Sequence, residues 1–545
     1  MIFKKKTLYF VPLGGSNEIG MNLNVYGYND QWVVVDLGIT FGHKLGIEVI
    51  VPDINFLRDK NVLAVVATHG HEDHIGAIPY LWPELKCPIY ATPFTASLIQ
   101  RKLHDVGHSH APLYKIPLKG SFEVGPFSFQ YITLTHSIPE PNALVIRTPA
   151  GTIFHTGDWK IDPAPLLGEL TDEASLKALG DEGVLALVGD STNAMEEGWS
   201  GSEKTVREEL IALASSIKQG TIAITCFASN VARLETCILA AQACNRKPVL
   251  VGRSLHKMYE SARQCGYLEG TPRVYNEREL KTLDPKKVLL ICTGSQGEAK
   301  AALSRMASGQ HPTVRLASGD TVIFSSRVIP GNEKEIAHVY NQLVRKGITL
   351  LTARHAEIHV SGHPYRDELR QMYQWIRPQI AIPVHGEPRH LQAHGLLAQT
   401  MDVPFVHIPE NGMITTLSTK GVTVEGHIET TPAAVDGSCL IPLTHEVFGQ
   451  RQKLMQTGVI FVSLSLGQSG QLEEVELNTL GIFLSSDEAM DDLSQSIEVA
   501  YEELILQVGE PVYEQIHAHI STNIRRKVEQ LTGKKPMCVV HLNGL

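Results

Sequence analysis

The stretch Thr68-His69-Gly70-His71-Glu72-Asp73-His74 places three imidazoles and two carboxylates within six residues. Imidazole nitrogens and carboxylate oxygens are the ligands that zinc and other borderline divalent ions take. Packing gives no reason for the pattern H-x-H-x-D-H. A single four-coordinate site seldom needs four donors so close in sequence. His69 and His71 therefore suit one ion, and Asp73 and His74 a neighbouring one. Further donors stand in short polar motifs: His136 in Thr-His-Ser-Ile-Pro, Asp158 in His-Thr-Gly-Asp-Trp, and His385 in Pro-Val-His-Gly-Glu. A carboxylate such as Asp158 has two oxygens and can bridge two cations. Two metals roughly 3.5–4 Å apart lower the pKa of a bridging water, bind a phosphoryl oxygen and offset charge in an in-line displacement.

Other polar motifs read less sharply. Phe227-Ala228-Ser229-Asn230 lies between a strand-like and a helix-like stretch. Its hydroxyl, amide and free N–H groups would cradle an anion, although simple helix capping explains them equally well. His359-Val360-Ser361-Gly362-His363 offers two imidazoles, a hydroxyl and a glycine that permits close backbone approach. Asp190 alone reads as readily as a turn aspartate. Gly294-Ser295-Gln296-Gly297 is explained by a tight strand-to-helix turn. The run with His104, His108 and His110 resembles a surface helix and loop. Arg525, Arg526, Lys527, Lys534 and Lys535 would follow phosphate, or simply line a solvated helix face.

These residues sit where apolar runs stop. Val62–Thr68 is strand-like and ends at His69; Phe127–Leu134 ends before His136. Ala143–Thr148 and Thr152–His155 flank a turn and read as a hairpin that ends near Asp158. Polar chemistry just past strand ends is how a sheet holds a site rigidly. From about residue 205 the rhythm changes to strands at Thr221–Cys226, Pro248–Val251, Val288–Cys292 and Thr321–Ser325. Each is followed by a helix-like stretch: Val231–Ala241, Ser254–Cys265, Glu298–Met306 and Glu333–Lys346. Such alternation implies a parallel sheet. Gln379–Pro383 then runs as a strand into His385, so one domain is inserted into another. Beyond about residue 430 a third unit reads as a strand (Gly458–Leu466), a turn, two helices (about 487–508 and 512–531) and a last strand (Met537–Leu542).

The resulting fold class is α/β, with domain boundaries at 1–204, 205–348, 349–428, a linker at 429–455 and a C-terminal α/β domain at 456–545. A chain of 545 residues accommodates these. Its composition, 43% hydrophobic and 19% charged, is that of a globular protein. The eight cysteines form no C-x-x-C pair and point to buried free thiols. The net charge of −10 counts mildly against a nucleic-acid partner but is compatible with a local basic groove. Lys4-Lys5-Lys6 precedes an apolar run too short for a signal peptide, and no run is long enough to span a membrane, so the cytoplasm is the expected compartment.

The chain resembles the metallo-β-lactamase superfamily, marked by H-x-H-x-D-H, and within it the β-CASP nucleases of the ribonuclease J family. The resemblance rests on Gly-Gly-Ser-Asn-Glu-Ile-Gly-Met-Asn (14–22), Thr-His-Gly-His-Glu-Asp-His-Ile-Gly (68–76), His-Ser-Ile-Pro-Glu (136–140), Gly-Asp-Ser-Thr-Asn (189–193) and Phe-Ala-Ser-Asn (227–230). It continues through Gly-Arg-Ser (252–254), Ile-Pro-Gly-Asn-Glu (329–333), His-Val-Ser-Gly-His (359–363) and Pro-Val-His-Gly-Glu (383–387). It implies an αββα sandwich with an inserted β-CASP domain. It assigns one metal to His69, His71 and His136, and a second to Asp73, His74 and His385, with Asp158 shared. It makes Asp73, Asp190 and His363 catalytic, Asp190 pairing with His363, and gives the nucleotide to Phe227, Ala228, Ser229, Asn230, His359, Val360, Ser361, Gly362 and His363. It implies two divalent ions, zinc ahead of manganese or magnesium. It further implies RNA as substrate, 5′-to-3′ exonuclease with endonuclease activity, homodimers or homotetramers, and association with other RNA-decay enzymes.

Three other readings compete with this one. A small-molecule metallohydrolase would share H-x-H-x-D-H but has no need of the insertion between Ser202 and Leu350, or of His359–His363. A β-CASP DNA nuclease tends to carry valine where this chain has His385. A catalytically dead scaffold would have lost ligands, and all seven are present.

Overall fold

The computed structural model describes residues 3–42 and 45–544, and the chain divides into two compact units, the first holding the described residues up to 41 and those of 49–432, the second the described residues of 42–48 and those from 433 onward. In the first unit the apolar runs identified above become strands of two large sheets. The eight-stranded sheet is centred on the antiparallel Leu8–Gly14, Leu23–Tyr28 and Gln31–Val35, and continues in parallel through Asn61–Val66, Ile89–Ala91 and Leu113–Lys115. The seven-stranded sheet runs antiparallel from Ser121–Val124 through Phe127–Thr133, Asn142–Thr148 and Gly151–His155. It then continues in parallel through Ala186–Asp190, Ile380–Val384 and Phe405–Val406.

One apolar layer joins the two sheets: Phe10, Tyr26, Val33 and Val66 from the first meet Phe129, Leu144, Val188 and Ile382 from the second. The far side of the second sheet is covered by helices Glu173–Glu182, Arg366–Ile376 and Pro388–Thr400, through Leu179, Trp375 and Leu397. This is the αββα sandwich. Its strands that are buried on both faces read as continuous apolar runs because neither face meets water.

The insertion forms a separate all-parallel sheet in the order Tyr275–Asn276, Lys247–Val251, Val288–Cys292, Ile222–Thr225, Thr321–Phe324 and Thr349–Leu351. Its core includes Val251, Leu290, Leu303, Phe324 and Leu343. In sequence it falls between Ala186–Asp190 and Ile380–Val384, yet those two strands are direct parallel neighbours, with Asp190 opposite Val384. A buried ion pair ties the insertion down. Arg233, 1% exposed, meets both Glu203 carboxylate oxygens and donates to Ser325 and to the Ile358 carbonyl. Glu203 also accepts from Asn230.

The second unit contains a three-stranded sheet in the order Leu472–Leu480, Val459–Leu466, Met537–Asn543, packed on helices Asp487–Val508 and Tyr513–Thr532. The strand Leu472–Leu480 corrects the sequence reading, which passed from the turn directly to a helix. Its three glutamates, Glu473, Glu474 and Glu476, hide the alternation; as an edge strand it faces the core on one side only. The stretch 429–455, read as a linker, holds the strands Ala433–Asp436 and Cys439–Pro442 and most of the helix Glu446–Thr457. All eight cysteines are free. Among the described residues no helix is long and apolar enough to cross a membrane.

Replacing Arg233 by methionine strands the Glu203 carboxylate without its partner. Breaking a buried pair from one side costs about 3–5 kcal/mol, so the urea midpoint of Arg233→Met should fall well below that of the unaltered protein.

Candidate metal centre

The strand Asn61–Val66 stops, and the chain turns through Thr68, His69 and His71 into the single helical turn Glu72–Ile75. That turn is seated by backbone bonds. Asn22 N–H donates to the Asp73 carbonyl, Leu37 N–H to that of His74 and Ile39 N–H to that of Glu72. Gly38 packs so tightly here that a Cβ would lie 1.7 Å from the Asp73 carbonyl oxygen. His136 follows Phe127–Thr133, Asp158 follows Gly151–His155, Asp190 ends Ala186–Asp190, and His385 follows Ile380–Val384. Four strands of one sheet, three of them neighbours and the fourth one strand further on beyond Asn142–Thr148, thus each deliver one polar side chain at the same edge.

The seven metal candidates converge. His69, His71, His136 and Asp158 bring one donor atom each within 4.8 Å of one another; so do Asp73, His74, Asp158 and His385. Asp158 belongs to both groups, as its two oxygens allow. A third group of the same size joins Asp158, Asp190, His363 and His385.

The imidazoles are aimed by their outer nitrogens. Asp36 Oδ2 lies 2.7 Å from His74 Nδ1, and a carboxylate can only accept, so Nδ1 carries the proton. The Gly362 carbonyl fixes His136 Nδ1 in the same way at 2.5 Å. The Thr68 hydroxyl donates to Asp36 and is left to accept from His69 Nδ1 at 3.0 Å. The Thr192 hydroxyl donates to Asp190 and accepts from His385 Nδ1 at 2.7 Å. Each of these four rings therefore turns its Nε2 inward, and the outer partner raises that nitrogen's basicity.

Those inward nitrogens crowd one another. His71 Nδ1 is 3.0 Å from both His69 Nε2 and His136 Nε2. Lone pairs this close repel unless a proton or a cation lies between them. Asp158 is 2% exposed and its Oδ1 accepts no hydrogen bond, a costly state for a buried carboxylate. Divalent metal ions fit this donor set: nitrogen and oxygen ligands, one carboxylate placed to be shared, and outer partners holding every ring but that of His71.

Protonation follows the same geometry. Burial and the neighbouring His74 push His69 well below its usual value, and burial takes His71 down to about 4. Burial would also lower His74 and His385, but the carboxylates around them, Asp158 foremost, override it and raise both. His363 stands 23% exposed beside Asp190, its Nδ1 2.8 Å from Oδ2. Burial opposes its charge, but Asp190 and Asp158 outweigh that and raise its pKa.

The nucleotide candidates divide. Ser361 and His363 border the cluster; Asn193 Nδ2 donates to the Ser361 hydroxyl at 2.8 Å. Gly362 approaches so closely that a Cβ would lie 2.8 Å from the His136 ring. His359 is driven down to about 3 by burial and by the cations Arg233, Arg327 and Lys160. Val360 is buried. Phe227, Ala228 and Ser229 form the partly exposed turn after Ile222–Thr225. Asn230 has the capping role: it is buried, caps Val231–Ala243 by accepting from Arg233 N–H, and donates to Glu203.

Of the weaker motifs, Gln296 is a brace, donating to the Arg327 carbonyl and accepting from Ile329 N–H. His108 and His110 pack on Trp82. Lys527 pairs with Asp492 and Lys535 with Glu529. Sequence reasoning missed Asp36, Thr68, Thr192 and Asn22, which act through other ligands. The only signal for Asp36 was a charge at the end of the apolar run Trp32–Val35.

Comparison with known proteins agrees along the chain. Residues 22–195 match the metallo-beta-lactamase superfamily, and 219–343 the description "Ribonuclease J, beta-CASP domain". Residues 351–409 match "Zn-dependent metallo-hydrolase RNA specificity domain", and 446–543 "Ribonuclease J C-terminal domain". The chain is 41% identical to ribonuclease J of Sinorhizobium meliloti, covering 98% of this chain and 97% of the other. It is 34% identical to that of Thermus thermophilus, covering 97% and 93%. A crystal structure of a protein of unknown function from Enterococcus faecalis superposes on 75% of this chain and all of its own, with a TM-score of 0.53 at 18% identity, a likeness of fold.

Asp36→Ala removes the partner of His74 Nδ1 and of the Thr68 hydroxyl without touching an inward-facing donor. Metal affinity, measured by competition with a chromophoric chelator, should fall about 10–100-fold, with the far-ultraviolet circular dichroism spectrum retained.

Proposed function

The chain belongs to the ribonuclease J family, and on that premise we propose how its side chains divide the work of cutting RNA. The protein is a metal-dependent ribonuclease, a hydrolase of phosphodiester bonds. We assign one divalent ion to His69, His71 and His136 and a second to Asp73, His74 and His385, with Asp158 shared. The nitrogen-rich donor set favours zinc. Such a pair supplies activated water at neutral pH and Lewis acidity toward a phosphoryl oxygen. The observation that carries this reading is the pair of four-donor groups meeting at one buried carboxylate.

His363 donates the proton to the leaving oxygen. Asp190 holds its Nδ1–H, which leaves Nε2 for the substrate and keeps the ring charged to a higher pH. Ser361, Gly362 and Ser229 offer a hydroxyl or backbone to phosphate, while Phe227, Ala228 and Val360 shape the nucleotide pocket and Asn230 keeps its floor in register. His359 stays neutral and so has one N–H to donate, and of the cations around it Arg327 is the one half exposed to an incoming anion. A pocket of this kind favours trimming from a 5′-monophosphate, with internal cuts as a second mode. The working form is a homodimer or homotetramer in the cytoplasm, alongside other RNA-decay enzymes.

The decisive experiment supplies 5′-labelled RNA with monophosphate or triphosphate ends, with and without chelator. Release of labelled mononucleotide from the monophosphate form, lost on chelation, is expected; metal-independent cleavage would sink the assignment. Asp73→Ala and His71→Ala should abolish cleavage and metal content while retaining the fold. His363→Ala should lower kcat and kcat/KM together, the mark of an interaction made in the transition state. A loss confined to KM would contradict the acid role.

The pH profile supplies an independent check. Because Asp190 raises the His363 pKa, Asp190→Asn lowers it. The acid is then deprotonated earlier as pH rises, so the alkaline limb of kcat should move to lower pH.

A further inference from the structure

At the rim of the site the loop from Asn193 to Gly201 is pinned along its whole length. Asn193 donates to Ser361, and Arg366 donates to the carbonyls of Ala194 and Glu196. Asp367 N–H donates to the Gly198 carbonyl, and Glu368 accepts from both the backbone and the hydroxyl of Ser200. Lys160, itself 1% exposed, donates to the Gly201 carbonyl. Ala194 and Ser200 are buried. Between them Met195 and Trp199 stand 51% and 53% exposed.

A rigid loop that turns its two largest apolar side chains to water is not explained by folding, which would gain by covering them. A third side chain joins this loop from the inserted sheet. The Arg327 guanidinium lies 3.0 Å from Glu196 Oε1 and 3.4 Å from Asn193 Oδ1, with half its side chain exposed. Its backbone is braced by Gln296, and its charge is felt at His359. An exposed aromatic ring and an exposed thioether thus stand on one pinned loop, with a cation docked on it, and the loop's first residue, Asn193, bonds to Ser361 and to the His363 carbonyl.

We propose that Trp199, with Met195 in the same loop and Arg327 docked on it, forms an accessory subsite for one nucleotide of single-stranded RNA outside the cleavage position. A base stacks on the indole, and Arg327 exchanges Glu196 for the adjoining phosphate. Stacking suits unpaired bases of any identity, because each presents a π face. The preformed loop lowers the ordering cost of binding. The continuity of the loop with Ser361 and His363 favours RNA over a protein as the occupant. The subsite rests on the reading of this chain as a ribonuclease.

The test compares full-length variants on a single-stranded RNA of about 20 nucleotides and on a 5′-monophosphorylated dinucleotide. Trp199→Ala should raise KM for the longer RNA roughly ten-fold while kcat stays within about two-fold, and Trp199→Phe should recover most of the loss. On the dinucleotide the loss in kcat/KM should stay below about two-fold, since the accessory position is empty. Arg327→Gln should flatten the slope of log kcat/KM against log salt by about 0.7, the value for one phosphate contact on a single strand. An unchanged KM on long RNA, an equal penalty on the dinucleotide, or an unchanged salt slope would each overturn the subsite. Those results leave the ribonuclease reading standing, whereas failure of the unaltered enzyme to cut either RNA would remove that reading and the subsite with it.

Discussion

A carboxylate with an unbonded oxygen, sealed from water and ringed by imidazole nitrogens, is the constraint around which the first unit is arranged. Asp158 cannot hold its charge there alone, since burial of an unpaired anion is prohibitively unfavourable. Every neighbouring element is placed so that something positive belongs beside it. Asp36, Thr68, Thr192 and the Gly362 carbonyl dictate which ring nitrogen faces inward. The rigid sheet edges dictate where those nitrogens stand. The site is therefore organised before any ligand arrives, and the cost of organising it is met by the apolar layer joining the two sheets.

The inserted sheet has its own core, so it can vary without disturbing that edge. What couples it to the chemistry is narrow. Arg233 reads three things at once: the Glu203 helix, the end of Thr321–Phe324 through Ser325, and the backbone just before His359. A guanidinium has enough fixed donors to satisfy all three, which a lysine could not do with its single point charge. The polar segment His359–His363 is thus suspended between the insertion, which holds its start, and the sandwich, where the Gly362 carbonyl meets His136.

Much of this was legible in the residues because the chain keeps its signals local. H-x-H-x-D-H sits on six consecutive positions, and the buried strands were visible as apolar runs; Val288–Cys292 came out with both ends correct. The misses share a cause. Asp36 and Thr192 act on residues far off in sequence, which spacing does not reveal. Leu472–Leu480 carries its polarity on a solvated face. The helix expected at Glu298–Met306 begins at Ala302, because Glu298 is spent on the preceding turn, where its carboxylate accepts from Gln296 N–H. Asn230 shows the reverse case, a motif whose polar atoms are already engaged by capping and by Glu203.

The adjacency of Ala186–Asp190 and Ile380–Val384 in the sheet has a consequence for the newly made polypeptide. Asp190 leaves the ribosome with its neighbouring strand still untranslated, and His385 follows 195 positions later. At elongation rates of about 5–20 residues per second this gap lasts roughly 10–40 s. Throughout it the emerging chain has no partner for one side of that strand and lacks the last donor of the cluster. Until Ile380–Val384 has been made and docked, the sheet edge that carries the cluster is open on that side and the cluster is one donor short.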